Sequence, residues 1–241
     1  MTPDYSIIVP AYNEEALLPA TLDALARAMA AAPDRAGEVI VVDNASTDRT
    51  AQVAGERGAR VVFEPHRPIA RARNAGGRAS RAKYLIFVDA DTLVPAHLLA
   101  ETLRVLDAGA CCGGGALMVF SRSVRGARAA GVWNTISRLC QWAAGGYLFC
   151  LREAFTDVGG FDERFYVGEE LYISRALKHW GWRRGLRLVI LDGPAATDPR
   201  KLEWFSERDV LLFLVAAVGD PRWKQSREKC AMWYERPPGR S

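Results

Sequence analysis

Residues 84–91 read YLIFVDAD. Tyr84 to Val88 is apolar throughout, and Asp89-Ala90-Asp91 then sets two carboxylates one residue apart. A run this short, with no polar face, reads as a strand covered on both sides. Two runs upstream repeat the pattern: Tyr5 to Pro10 (YSIIVP) and Glu38 to Asp43 (EVIVVD). Arg60 to Glu64 (RVVFE) supplies another strand. Helical patterns fill the gaps. Leu18, Leu22, Leu25 and Met29 form one apolar stripe, with Pro19 tolerable only in a first turn. Ser46 or Thr47 is placed to cap a second helix. The small-residue stretch Ile69 to Ala82 reads as a helix packed closely on the sheet. Pro95 opens a further helix with Leu99, Leu103 and Leu106 on its face.

Strands alternating with helices predict an α/β fold, a Rossmann-like doubly wound and mostly parallel sheet. Ligands of such sheets bind beyond the carboxyl ends of the strands. The stretches Pro10-Ala11-Tyr12-Asn13-Glu14, Asp43-Asn44-Ala45-Ser46 and Asp89-Ala90-Asp91 should therefore share one rim. The second half is less regular. Strands are expected at Cys111 to Val119, with Gly113-Gly114-Gly115 marking a bulge or close approach, and at 147–151 and 186–191. Helices are expected at 132–144, 169–180 and 205–218. No linker or repeat interrupts the chain. It reads as a single domain over 1–241, in three parts: a regular half (1–110), a less regular half (111–220) and a tail (221–241) that frays after Arg236.

The 241 residues are 49% hydrophobic and 25% charged, with net charge +4. Disorder is not indicated. Arginines cluster at 57–81 and 122–138, as in an enzyme for phosphorylated substrates, but the mild charge and the tryptophan placement argue against a nucleic-acid partner. The five cysteines show no zinc spacing and no disulfide framework, so reduced thiols in a cytoplasmic compartment are expected. No apolar run approaches the roughly 18 residues of a spanning helix. Arg222, Lys224, Arg227 and Lys229 make the C-terminal region basic, which suits peripheral contact with an inner membrane face.

Asp89-Ala90-Asp91 is the sharpest chemical signal. Mg²⁺ and similar hard cations take one or two carboxylates and complete their shell with phosphate oxygens, which a nucleoside diphosphate would supply. Asp43 could accept a hydrogen bond from a base or cap a turn. Arg71 and Arg73 could neutralise a diphosphate or sit solvated on a helix. Glu169 and Glu170 open a predicted helix, where acids suit the macrodipole but could also serve as general base. Tyr12 could stack on a base or be a rim aromatic.

In order along the chain, SIIVPAYNEE, VIVVDNASTDRT, ARNAGGRASRAKYLIFVDADT and VGGFDERFYVGEELYISRALKHWG resemble the family 2 glycosyltransferases, which have the GT-A fold. The resemblance implies an inverting, non-processive transfer of one sugar from a nucleoside-diphosphate sugar, UDP or GDP, to a glycan, lipid-linked or small-molecule acceptor, with Mg²⁺ or Mn²⁺ as cofactor. It implies that Pro10, Ala11, Tyr12 and Glu14 line the nucleoside pocket and Asp43 binds the base. Asp89 would hold the ribose or support the metal, Asp91 would ligate it, and Arg73 and Ala90 would join the donor-binding set. Glu170 falls at the catalytic base, behind Glu169. The usual pair there is Glu-Asp, so which glutamate reaches the acceptor stays open. A later histidine is common in relatives. None follows His179 here, leaving Thr197, Arg200 and Lys201 to take over phosphate contacts. A sugar-phosphate nucleotidyltransferase fits less well, because AYNEE lacks its glycine-rich basic loop. A non-catalytic sugar-nucleotide-binding module fits poorly with intact acids.

Overall fold

The computed structural model describes residues 2–123, 127–200, 223–226 and 228–230. The expected helix at 205–218 and the tail beyond Arg236 lie outside them, as do Lys201, Arg222 and Arg227. In chain order the elements are β1 (Tyr5–Ala11), α1 (Leu18–Ala30), β2 (Gly37–Asp43), α2 (Thr50–Glu56), β3 (Arg60–Phe63), α3 (Ile69–Ala79), β4 (Tyr84–Val88), β5 (Thr92–Leu93), α4 (Ala96–Asp107), β6 (Cys111–Phe120), α5 (Ala127–Cys140), β7 (Tyr147–Leu151), α6 (Arg152–Asp157), α7 (Glu169–Trp182) and β8 (Arg187–Thr197), with a short 3₁₀ turn at Trp223–Gln225.

Eight strands form one sheet in the order β3-β2-β1-β4-β7-β6-β8-β5. Four parallel strands make its first half, as the apolar runs predict. Side chains alternate across a strand, and the burial follows. Tyr5, Ile7 and Val9 face a core built with Leu18, Leu22 and Leu25 of α1 and Leu99, Leu103 and Leu106 of α4. Ile8, Leu85 and Phe87 face a second core with α3, α6 and α7, including Phe155, Ile173 and Leu177. The sheet is thus covered on both sides.

Pro10 lies where β1 still pairs with Val42 of β2 but β4 has ended its ladder at Phe87, so its missing N–H costs that edge nothing. Pro19 stands in the first turn of α1. Helix α2 departs from expectation. It begins at Thr50, without a side-chain cap, because Ser46 and Thr47 are drawn instead to Asn13. Short β5 and α6 carry too few residues for any period to show. Helix α5 starts and ends earlier than the expected 132–144. Among the described residues, no helix is long and apolar enough to cross a membrane.

β7 runs antiparallel between β4 and β6, pairing Val88 with Tyr147. Its start therefore lies at the same rim where the parallel strands end. β6 and β8 are parallel, with register shifts flanking Gly113 and following Ala116. The glycine run permits the close approach expected of it. A methyl on Gly114 would meet the Val189 carbonyl oxygen at 2.0 Å, and one on Gly113 would meet Phe149 O at 2.5 Å.

Gly114→Ala should lower stability in urea unfolding by about 1–3 kcal/mol through overpacking. Gly55→Ala in α2, where an added methyl meets nothing within 4 Å, should be neutral or stabilising by up to about 1 kcal/mol. Equal stability of the two variants would contradict the tight β6–β8 approach.

Candidate active site

The rim collects several chain segments. β1 ends beside β2 with Ala11 opposite Asp43. The loops that follow are laced together. Asn13 N–H donates to Ser46 Oγ (3.0 Å), Thr47 N–H donates to Asn13 Oδ1 (2.8 Å), and Glu14 N–H donates to Thr50 Oγ1 (2.8 Å). Asn13 and Ala45 both adopt positive φ, 52° and 59°. For alanine this costs about 1–2 kcal/mol, which the surrounding hydrogen bonds offset. Asp43, buried, accepts from Ser46 N–H at 3.1 Å, so it caps this turn.

Asp89 and Asp91 leave β4 toward different partners. Asp89 Oδ1 accepts from Arg73 Nη2 at 2.7 Å. Asp91 is only 8% exposed. Its Oδ1 accepts from Thr197 Oγ1 at 3.3 Å and its Oδ2 from Arg200 Nη2 at 3.4 Å, and Arg200 also pairs with Glu14. Ala90 between them turns its side chain into the core, and its carbonyl accepts from Thr21 Oγ1 at 2.8 Å. The methyls of Ala90 and Ala11 both belong to the core, and Pro10 is likewise buried in β1. These residues shape the rim through their backbone. Tyr12 carries the Arg67 guanidinium 3.5 Å above its ring, so one face is already covered.

Arg73 is the main surprise. The expectation put it on a diphosphate. Instead it is 2% exposed, with Nη1 on Glu169 and Nη2 on Asp89 and the Gly145 carbonyl (3.1 Å). Its terminal nitrogens are spent on acids, which makes it their counter-ion. Burial works against its charge, but Asp89, Glu169 and Glu170 outweigh that and raise its pKa. The signal was in the sequence. Ala70, Arg73, Asn74 and Gly77 recur at the spacing of one helical face, and all four are buried. Arg71, by contrast, pairs with Glu64 and Glu163 at the surface of α3.

Helix α7 opens after Gly168, which takes φ 79°. That turn sends its first two acids different ways. Glu169, 4% exposed, is committed to Arg73. Glu170 is half-buried and borders the space beside Gly145. A methyl placed on Gly145 would lie 3.9 Å from Glu170 Cδ, 3.9 Å from Asp89 Oδ2 and 3.2 Å from Arg73 Nη2. The two carboxyl groups thus both lie close to Gly145. Desolvation first, then the Glu169 charge, push the Glu170 carboxyl well above the usual glutamate range, against the pull of Arg73. In helix α7 Arg175 lies over the Trp142 ring, 5.0 Å from its centroid. His97 and His179 sit apart from this site, packed at Gly193 and Trp182.

Arg200 and Thr197, named only as phosphate candidates from the sequence, prove to be direct partners of Asp91. The pairing of β5 with β8 places them there: Thr92 lies opposite Thr197, and Asp198 N–H donates to the Asp91 carbonyl at 3.1 Å. Among the described residues, no three His, Cys, Asp or Glu side chains converge into an all-protein metal cage.

The profile of the family described as Glycosyl transferase family 2 matches residues 6–153. An uncharacterized glycosyltransferase of Mycobacterium tuberculosis is 38% identical over 105 residues, 44% of this chain and 44% of that protein. The match thus spans less than half of that relative's length. Two solved structures share the fold. A mannosyltransferase of Pyrobaculum calidifontis, in complex with GDP-Man and Mn²⁺, aligns with TM-score 0.63 at 22% identity, over 96% of this chain and 70% of that one. Glucosyl-3-phosphoglycerate synthase of M. tuberculosis, in complex with Mn²⁺, UDP and glucosyl-3-phosphoglycerate, aligns with TM-score 0.61 at 22% identity, over 97% and 80%. Both have the GT-A fold. With a matched profile over more than half its length and the acids of that profile on one rim, this chain belongs to glycosyl transferase family 2.

Proposed function

We propose that the protein is an inverting glycosyltransferase that moves one sugar from a UDP- or GDP-sugar to an acceptor hydroxyl, with Glu170 as general base. The observation that carries this reading is the division of labour between adjacent glutamates. Glu169 is paired with Arg73, while Glu170 is half-buried and lies beside Gly145 together with Asp89. A base is most effective with a pKa near the working pH, and burial shifts Glu170 in that direction.

In this reading the rim residues Tyr12, Glu14 and Asp43 take the nucleoside, and Asp89 and Asp91 take the ribose and diphosphate end. Two structures of the same fold hold GDP-Man or UDP together with Mn²⁺, which supports a nucleotide-sugar donor and a divalent cation. Mg²⁺ or Mn²⁺ suits the donor set. Asp91 offers two carboxylate oxygens whose present contacts, 3.3 and 3.4 Å, are long and readily exchanged. The absence of an all-protein cage among the described residues suits a cation that completes its shell with phosphate oxygens. When bound, such an ion stabilises charge on the departing diphosphate. Arg73 holds Asp89 and Glu169 in place. Glu170 takes the acceptor proton as that oxygen attacks the anomeric carbon opposite the bond to the diphosphate. That bond breaks, the diphosphate leaves with the electron pair, and configuration inverts.

The acceptor is a glycan, a lipid-linked sugar or a small molecule bound on the side of 111–146. Val132, Ile136 and Leu139 form an exposed row on one face of α5, at 61%, 37% and 80%. This row supports the lipid-linked choice and a working place against the inner membrane face.

Three measurements test the reading. Glu170→Gln should cut kcat/KM by about 10²–10⁴-fold while nucleotide affinity by calorimetry stays near that of the parent protein. Full activity in this variant would remove Glu170 from the chemistry. Because the ionised carboxylate is the active form and its pKa is raised, kcat/KM should climb with pH through a midpoint above the ordinary glutamate range. A flat profile across neutral pH would contradict the assignment. In a thermal-shift screen, UDP- or GDP-sugars with MnCl₂ should stabilise the chain by about 2.7 kcal/mol at a hundred times Kd. No shift with any nucleotide sugar would overturn donor binding.

A further inference from the structure

Arg200 occupies an unusual position at this rim. Its backbone N–H donates to Asp198 Oδ1 at 2.8 Å, which tucks the residue back toward β4. Its guanidinium, only 19% exposed, pairs with Glu14 from the first loop and reaches Asp91 Oδ2 at 3.4 Å. One cation therefore serves two carboxylates that are themselves 14% and 8% exposed. The contacts are unequal. The Glu14 pair is tight, whereas the Asp91 contact is at the long limit of a hydrogen bond.

Two consequences follow from this geometry. First, a guanidinium and a divalent cation drawn to the same Asp91 oxygen repel each other, so Arg200 weakens cation binding there. Second, a guanidinium fork matches phosphate oxygens and binds them in pairs, so a diphosphate arriving at the rim offers Arg200 a stronger partner than its long contact to Asp91. We propose that Arg200 is an exchangeable counter-ion: it bridges Glu14 and Asp91 until the donor's diphosphate draws it away, and so makes cation binding at Asp91 conditional on the nucleotide. The inference rests on the sugar-nucleotide reading of the site. It adds a named residue that couples the two ligands. Linkage makes the effect reciprocal: the nucleotide tightens the cation, and the cation tightens the nucleotide by the same factor.

The test is Mn²⁺ titration followed by electron paramagnetic resonance, with and without UDP or GDP, on the parent chain, Arg200→Gln and Arg200→Lys. The parent should bind Mn²⁺ at least about fivefold more tightly when nucleoside diphosphate is present. Arg200→Gln should bind Mn²⁺ more tightly than the parent without nucleotide, and its gain on adding nucleotide should shrink to about twofold or less. Arg200→Lys covers the case in which the glutamine variant fails to fold. Its ammonium lacks the planar fork, so Mn²⁺ affinity without nucleotide should rise and the nucleotide-dependent gain should fall. Parent-like Mn²⁺ affinity and parent-like gain in the folded variants would overturn the role of Arg200 and leave the donor reading intact. Failure of the parent chain to bind UDP or GDP, with Mn²⁺ present or absent, would instead remove the donor reading, and this inference with it.

Discussion

One buried guanidinium holds one end of the acidic rim together. Arg73 projects from α3 into a place where the chain has gathered Asp89, Glu169 and Glu170. Three acids this close would repel one another, and burial would disfavour every charge. With Arg73 among them, two are paired and the third is left to titrate at a raised pKa. Removing one partner of such a buried pair leaves an uncompensated charge, which typically costs about 3–5 kcal/mol. The same interaction therefore ties β4, α3 and α7 together and partly offsets the rise that burial and the Glu169 charge impose on the Glu170 pKa.

The other end of the rim uses the same device with a looser grip. Arg200 joins Glu14 and Asp91 as Arg73 joins Glu169 and Asp89, so each aspartate of the Asp-x-Asp pair has a guanidinium of its own. The difference lies in burial and distance. Arg73 is sealed beneath the acids with a 2.7 Å contact, and Arg200 sits nearer solvent with a 3.4 Å contact. A sealed pair is a fixed part of the scaffold. A partly exposed, long pair can exchange partners at small cost. Fixed charge lies on the side of the proposed base, and exchangeable charge on the side of the proposed diphosphate.

Between the two ends, the sheet does the positioning. Parallel register brings Ala11 level with Asp43, and antiparallel β7 returns Gly145 and Gly146 to the same rim. Glycine at 145 lets the chain pass close to these groups, since an added methyl would lie 3.2 Å from Arg73 Nη2. Asn13 and Ala45 accept left-handed backbone so that their loops can interlock. Strain of this kind persists only where neighbouring hydrogen bonds over-determine the conformation.

Local sequence determined the strands, the helices between them and the convergence of three acidic strand ends. These follow from runs of apolar residues and from periods of two and 3.6, which are properties of neighbours along the chain. The helical face carrying Arg73 was also legible, because Ala70, Asn74 and Gly77 share it. Its partners were not, since Glu169 lies 96 residues away. Nothing local distinguished Glu169 from Glu170, whose fates were separated by the turn at Gly168 and the place of α3. The insertion of β7 against β4, the short β5 and the reach of Arg200 to Glu14, 186 residues off, were likewise decided by packing alone. Pairing between distant charges depends on where whole elements come to rest, and no pattern confined to a stretch of chain encodes it.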